Sequence, residues 1–224
     1  MSTTGPIRSE SADWLSAYGQ DAEVQRRRDA MPAKLELLGL AQAPRSARIL
    51  DMCCGCGEAL DALHEMGFRD LHGVDLTIPP AIQGDARFHT LVGDACATGL
   101  PGESFDWVLN IHALHHFRNT ETVALFLDEC YRVLRPGGRL CVVDFPSSPQ
   151  IRLAFWFFRQ RIGLWTPYLK YFGKVIEEEW SFLQYYLPQW PQTRKLLHEG
   201  KFEVEKQVNT LFYYHLTLRK PSNA

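Results

Sequence analysis

Three cysteines fall within four positions, Cys53, Cys54 and Cys56, in the stretch ILDMCCGCGEAL at residues 49–60. Asp51 precedes them, and Gly55 and Gly57 are interleaved with them. Thiols at this density suggest metal binding, redox chemistry, or a tight turn in which cysteine takes small-residue positions. Zinc sites use C-x₂-C pairs matched by a second pair elsewhere, whereas Cys96, Cys130 and Cys141 each stand alone. The small-residue turn is therefore the better reading, and no metal is expected. Further polar residues recur at the ends of short apolar runs: Asp75 in GVDL, Asp94 in GDA and Asn110 in FDWVLNIHALHHF. His112, His115 and His116 follow the last of these, and imidazole is the side chain that titrates near neutrality.

Regular elements must bring these residues together. ARIL (47–50), LHGVDL (71–76), RFHTLVGDA (87–95), the run around Trp107–Asn110, and RLCVVDF (139–145) read as five strands. EALDALHEM (58–66) and ETVALFLDECYRVL (121–134) carry apolar residues at helical spacing. Alternation of strands with helices predicts an α/β fold with a parallel sheet, which binds ligands beyond the carboxyl ends of its strands. Asp51, Asp75, Asp94 and Asn110 fall where those ends should be. Residues 11–40 read as two helices divided by Pro32, and residues 146–200 as aromatic-rich helices broken by Pro167, Pro188 and Pro191. KFEVEKQV (201–208) and LFYYHLTLRK (211–220) read as a closing antiparallel pair.

The bulk properties restrict function further. The chain has 224 residues, 46% hydrophobic and 22% charged, with a formal net charge of −2, which fits one globular domain with no electrostatic pull toward nucleic acid. No signal peptide is visible, and Arg152, Arg159 and Arg161 interrupt the most apolar stretch well short of a membrane span. Clustered cysteines inside core strands point to reduced thiols and a cytoplasmic location.

The order D51-M-C-C-G-C-G57 after a strand and before a helix resembles motif I of class I S-adenosylmethionine-dependent methyltransferases. Cys53 stands at the usual first glycine, a departure tolerable if its φ stays negative. GVDL, GDA and FDWVLNIHALHHF resemble the next three family motifs, and YRVLRPGGRL (131–140) its helix–turn–strand hallmark. A dinucleotide-binding Rossmann turn is a poorer match, because residues 58–60 are Glu-Ala-Leu, with no third glycine and an acid opposing a pyrophosphate. The resemblance implies a Rossmann-like three-layer sandwich: a seven-stranded, mostly parallel sheet with an antiparallel C-terminal strand and helical lid elements.

It also implies S-adenosylmethionine as cofactor and a set of site residues. Asp51, with the turn of Cys53, Gly55 and Gly57, serves the methionine end. Asp75 serves the ribose, Asp94 and Ala95 the adenine edge, and Asn110 the methionine end from the fourth strand. Pro79-Pro80 leaves little room for the usual helix, so adenine packing falls to Leu76, Thr77 or Ile78. His115 or His116 is the natural base if the acceptor must lose a proton. One domain over 1–224 is expected: 1–44 a helical lid with Trp14 and Tyr18 over the cofactor, 45–145 the binding core, 146–200 helices over the acceptor, and 201–220 the closing hairpin. The tail most resembles quinone C-methyltransferases, although His115-His116 stand where those have Arg-Asn. Aromatic walls suit a small hydrophobic or aromatic acceptor methylated at O, C or N. Transient membrane-surface contact and oligomerisation stay open. Alternatives are a non-catalytic cofactor-binding module, a thiol-using arsenic methyltransferase, and a protein or RNA methyltransferase, the last disfavoured because Asn110-Ile111-His112-Ala113 replaces the D/N-P-P-Y/F signature. Glu177, Glu178 and Glu179 read as a solvated helix face.

Overall fold

The computed structural model describes residues 21–160 and 167–222. Helix α1 (Asp21–Leu37) leads into β1 (Arg48–Met52), followed by α2 (Glu58–Glu65), β2 (Asp70–Asp75), a single-turn α3 (Pro80–Gln83), β3 (His89–Val92) and β4 (Phe105–Ile111). Then come α4 (Thr120–Val133), β5 (Leu134–Asp144), α5 (Pro149–Arg159), α6 (Pro167–Glu199), β6 (Glu203–Asn209) and β7 (Tyr214–Arg219). The strands form one sheet in the order β3-β2-β1-β4-β5-β7-β6. The first five run parallel, and β7 is antiparallel to both of its neighbours. Strand order reverses between β1 and β4, which is the place where such sheets bind ligands.

Alternating side chains divide the core between the two sheet faces, as period-two strands require. Leu50, Met52, Val108 and Val142 pack with the buried residues of α4, α5 and α6. Ile49, Leu109, Cys141 and Val143 pack with those of α1 and α2. The result is helix, sheet and helix in three layers. The α3 turn confirms that Pro79-Pro80 shortens the connection before β3.

Proline is a weaker breaker here than its local chemistry predicts. Helix α1 runs unbroken through Pro32, and α6 runs for 33 residues through Pro188 and Pro191. Proline deletes one intrahelical hydrogen bond, but tertiary contacts hold each helix on both sides of the interruption. Met31, Leu35 and Leu38 are buried around Pro32, and Arg27 and Arg28 reach Glu58 and Asp61 of α2 at 2.8 and 2.7 Å. Tyr186, Leu187, Thr193 and Leu197 are buried around the two prolines of α6. No helix among the described residues is long and apolar enough to cross a membrane.

Candidate active site

The turn after β1 is held by the end of β2. Cys53 and Cys54 N–H groups donate to the Val74 carbonyl at 2.7 and 3.1 Å. Gly55 N–H donates to Asp75 Oδ2 at 2.9 Å, and Thr77 N–H to Asp75 Oδ1 at 3.0 Å. Burial pushes the Asp75 carboxyl up, and the Thr77 and Gly55 amides and then the His116 charge oppose it. Asp51 lies buried in β1 at 3% exposure; burial pushes its carboxyl well up, with Glu58 and Asp75 adding to the effect. Approach across the turn is close: a Cβ on Gly73 would meet Cys54 Sγ at 2.8 Å.

Cys53 departs from expectation. Its φ is +66°, beside Gly55 at +48° and Gly57 at +75°, so a thiol-bearing residue occupies the left-handed conformation that favours glycine. The hydrogen bonds at Val74 and Asp75 dictate the turn, and Cys53 conforms to it. A non-glycine residue pays about 1–2 kcal/mol for this conformation. Cys53→Gly is therefore expected to raise stability by about 1 kcal/mol and Cys53→Val to lower it by a similar amount, as read from urea unfolding midpoints. Equal midpoints for the two variants would show that the turn is not strained at this residue.

The thiols are not set up as nucleophiles. Burial, followed by Asp75 and Asp51, holds the Cys53 thiol well up. Burial also drives Cys54 up, Cys56 to about 11 and Cys96 to about 12. Reactive thiols need electropositive surroundings, whereas Cys53 and Cys54 face Asp51 and Asp75.

Asn110 lies fully buried at the switch point. Its Nδ2 donates to the Met52 carbonyl at 3.2 Å, while its Oδ1 has no partner. A buried orphan acceptor beside the glycine turn suits a ligand that brings a donor such as an ammonium. On the far side, Asp94 accepts from Cys96 N–H at 2.8 Å and stays exposed, Ala95 is buried, and Leu76 is 50% exposed. The structure thus brings Asp51, Cys53, Gly55, Gly57, Asp75 and Asn110 around one turn, with Leu76, Asp94 and Ala95 at its β2–β3 margin. Tyr18 and Trp14 lie outside the described residues.

The histidines follow β4 in a short 3-10 turn, Leu114–His116. His115 is buried and doubly anchored to Asp144 at the end of β5. Its backbone N–H donates to Oδ2 at 3.0 Å, and its Nδ1 to Oδ1 at 2.8 Å. Its Nε2 donates to Glu179 Oε2 at 3.3 Å. Burial pulls the imidazolium down, but Asp144 and then Glu179 override this and hold it at about 10. His115 is thus a protonated ring with both nitrogens committed to carboxylates, a poor base. His116 differs: its side chain is 43% exposed, its Nε2 meets Glu179 Oε2 at 3.2 Å, and it stacks on Phe182 at 4.5 Å. Glu179 overturns the solvated-face expectation. It is 7% exposed; burial raises its carboxyl, yet hydrogen bonds from His115 and His116 bring it well below the ordinary range. Nothing in EEEW distinguishes it from its neighbours except its phase on α6, two turns before the buried Tyr186. Phe145, Phe155, Tyr186 and Tyr213 pack around this cluster and give it an aromatic wall.

Comparison with known proteins agrees with this geometry. Residues 50–142 match a family model described as a methyltransferase domain. The ubiquinone/menaquinone biosynthesis C-methyltransferase of Dinoroseobacter shibae is 34% identical over 155 residues, 64% of this chain, and this chain spans 59% of that relative's length. The demethylmenaquinone methyltransferase of Beutenbergia cavernae is 30% identical over 188 residues, covering 75% of this chain and 69% of the relative. A crystal structure of the Burkholderia thailandensis 1,6-didemethyltoxoflavin-N1-methyltransferase with bound S-adenosylhomocysteine shares the fold. Its TM-score is 0.59 at 20% identity, over 94% of this chain and 86% of that one. The chain belongs to the class I S-adenosylmethionine-dependent methyltransferase family. Its cofactor is S-adenosylmethionine, and both of the sequence relatives described above are named for the methylation of quinones.

Proposed function

We propose that this protein moves the methyl group of S-adenosylmethionine to a small, flat, lipophilic acceptor that carries an ionisable hydroxyl, a hydroquinone or phenol being the leading class. The observation that carries this reading is the His116–Glu179 pair. It is a partly open imidazole whose other side is fixed by a buried carboxylate, set among aromatic rings beside the glycine-turn acids.

The cofactor, when bound, supplies an electrophilic methyl on a sulfonium. Asp75 would accept from the ribose hydroxyls, and Asp94 with the Ala95 N–H would read the adenine edge against Leu76. Asp51 and the orphan Oδ1 of Asn110 would receive the methionine ammonium. In-line transfer demands alignment first, and the aromatic wall would hold a flat ring in place. Glu179 would accept the hydrogen bond from His116 Nε2–H, which leaves Nδ1 as the nitrogen able to accept the acceptor's proton, the carboxylate–imidazole arrangement of general bases. Residues 45–145 then serve the cofactor, α5 and α6 the acceptor, and 201–220 closes the sheet, with α1 on the cofactor side. Leu153, Trp156 and Phe157 lie exposed on α5, an apolar face suited to meeting an acceptor carried in a lipid surface.

The test is methyl transfer from labelled S-adenosylmethionine to a panel of hydroquinones, phenols and amines. Hydroxyl-bearing aromatics are expected to be methylated, with His116→Asn lowering kcat about a hundredfold while S-adenosylhomocysteine affinity is kept. Transfer to none of the panel despite tight cofactor binding would instead identify a binding module. A fully active His116→Asn would remove the base from the mechanism.

A further inference from the structure

We infer that His115, His116 and Glu179 form a binding site for a divalent transition ion, zinc by its donor set, and that an ion bound there switches off the base at His116. The site stands on its own geometry; only its effect on turnover rests on the base proposed above.

Two ring nitrogens and one carboxylate oxygen converge on a single point. His115 Nε2 lies 3.3 Å and His116 Nε2 3.2 Å from the same atom, Glu179 Oε2, and the three donor atoms all lie within 4.8 Å of one another. Hydrogen bonds to an ionised partner run about 2.7–2.9 Å, and His115 Nδ1 makes one of that length to Asp144 Oδ1, at 2.8 Å. The two contacts to Glu179 are longer. They match instead the separation of about 3.3 Å between neighbouring ligands of a tetrahedral zinc, whose bonds to nitrogen and oxygen are about 2.0–2.2 Å. Two histidines and a glutamate leave the fourth position for water, and the His116 side chain, 43% exposed, opens the cluster to an entering ion.

The supports of a metal site are also in place. A ligating histidine donates its other ring N–H to a carboxylate or carbonyl, which fixes the tautomer and the ring orientation. Asp144 does this for His115, and is itself held by the His115 and Phe145 backbone N–H groups at 3.0 and 2.7 Å. Phe182 stacks on the His116 ring at 4.5 Å and aims it. Imidazole donors with one carboxylate and no thiolate suit zinc over magnesium or calcium. The Asp70, His72 and His89 cluster differs in that its place is taken: Arg48 Nε lies 3.2 Å from His72 Nε2 and 3.8 Å from Asp70 Oδ1, so a guanidinium stands where an ion would. Coordination at Glu179 takes both Nε2 lone pairs. The Nε2 proton of His115 leaves to solvent, and that of His116 passes by exchange to Nδ1, which then cannot take the acceptor's proton.

The experiment titrates zinc chloride and cobalt chloride into the chelator-treated intact protein, followed by calorimetry and by absorption. A single ion per chain is expected to bind, and cobalt should give visible ligand-field bands without the near-ultraviolet charge-transfer band of a thiolate ligand. Glu179→Gln and His116→Asn should each weaken zinc at least about tenfold, since even changes beyond the ligands cost about ten- to hundredfold. Unchanged S-adenosylhomocysteine affinity in His116→Asn shows that this variant is folded. In the labelled-methyl assay, stoichiometric zinc should lower turnover about a hundredfold, the worth of the base, and a chelator should restore it. No stoichiometric binding, binding that both variants keep, or a thiolate band overturns the site. A zinc-loaded protein at full turnover overturns the switch. A fully active His116→Asn overturns the base reading instead, and calorimetry with the cobalt spectrum still decides the site.

Discussion

Asp144→Ala is expected to destabilise the protein by about 3–5 kcal/mol, the usual cost of removing one partner from a buried ion pair. Asp144 is fully buried and receives three hydrogen bonds, from the His115 amide and ring and from the Phe145 N–H at 2.7 Å. Its loss leaves the His115 imidazolium with Glu179 alone, at 3.3 Å, beside Tyr186 and the neighbouring His116. Urea unfolding at neutral pH measures the loss, and a change below about 1 kcal/mol would mean that the cluster relaxes to a neutral histidine at little cost. The pH dependence gives an independent check with a definite sign. The folded pKa of His115 is raised from 6.5 to about 10. Its contribution is therefore complete below about pH 6.5 and lost as pH rises through about 10. The gap in stability between wild type and Asp144→Ala should be widest at or below pH 6.5 and should close toward pH 10. Glu179, held well below its ordinary range, contributes above about pH 4.5 and loses that contribution as pH falls further.

The residues that were legible in the chain are those whose role is local. Asp51, Asp75 and Asn110 end apolar runs, and a strand run of alternating period carries its last polar residue to the sheet edge whatever the rest of the chain does. The five parallel strands and the final hairpin follow from the same periodicities. What stayed hidden depends on contacts distant in sequence. Glu179 sits 64 residues from His115, and EEEW on a helix looks the same whether its third acid meets water or two imidazoles. Pro32, Pro188 and Pro191 carry a strong local signal, and packing overrode it. Cys53 is the instructive intermediate case. The motif marked its position as glycine, so the positive φ was available to be read from the pattern, but the small size of cysteine suggested a conformation that the hydrogen bonds to Val74 do not allow.

Asp75→Ala should cost the larger share of cofactor affinity. Its carboxylate does two jobs at once: Oδ2 holds the Gly55 N–H and Oδ1 the Thr77 N–H, so the shape of the glycine turn and the start of the β2–α3 loop both depend on it. Hydrogen bonds to a charged group contribute about 1.5–3 kcal/mol each. A carboxylate has lone pairs left over for ribose hydroxyls after accepting two amides. Losing the ribose contacts and the organised turn together should weaken S-adenosylhomocysteine binding by at least about a hundredfold, since each 1.4 kcal/mol is tenfold. Asp75→Asn should not rescue it, because its NH₂ would oppose one of the two backbone donors. Asp94→Ala provides the contrast. Asp94 is exposed and is held locally by the Cys96 amide and thiol, so its removal should cost about tenfold or less. Calorimetry on the three variants tests the ranking. Unchanged affinity in Asp75→Ala would move the ribose contact elsewhere, and an equal loss in Asp94→Ala would mean that the adenine edge, not the turn, dominates cofactor binding.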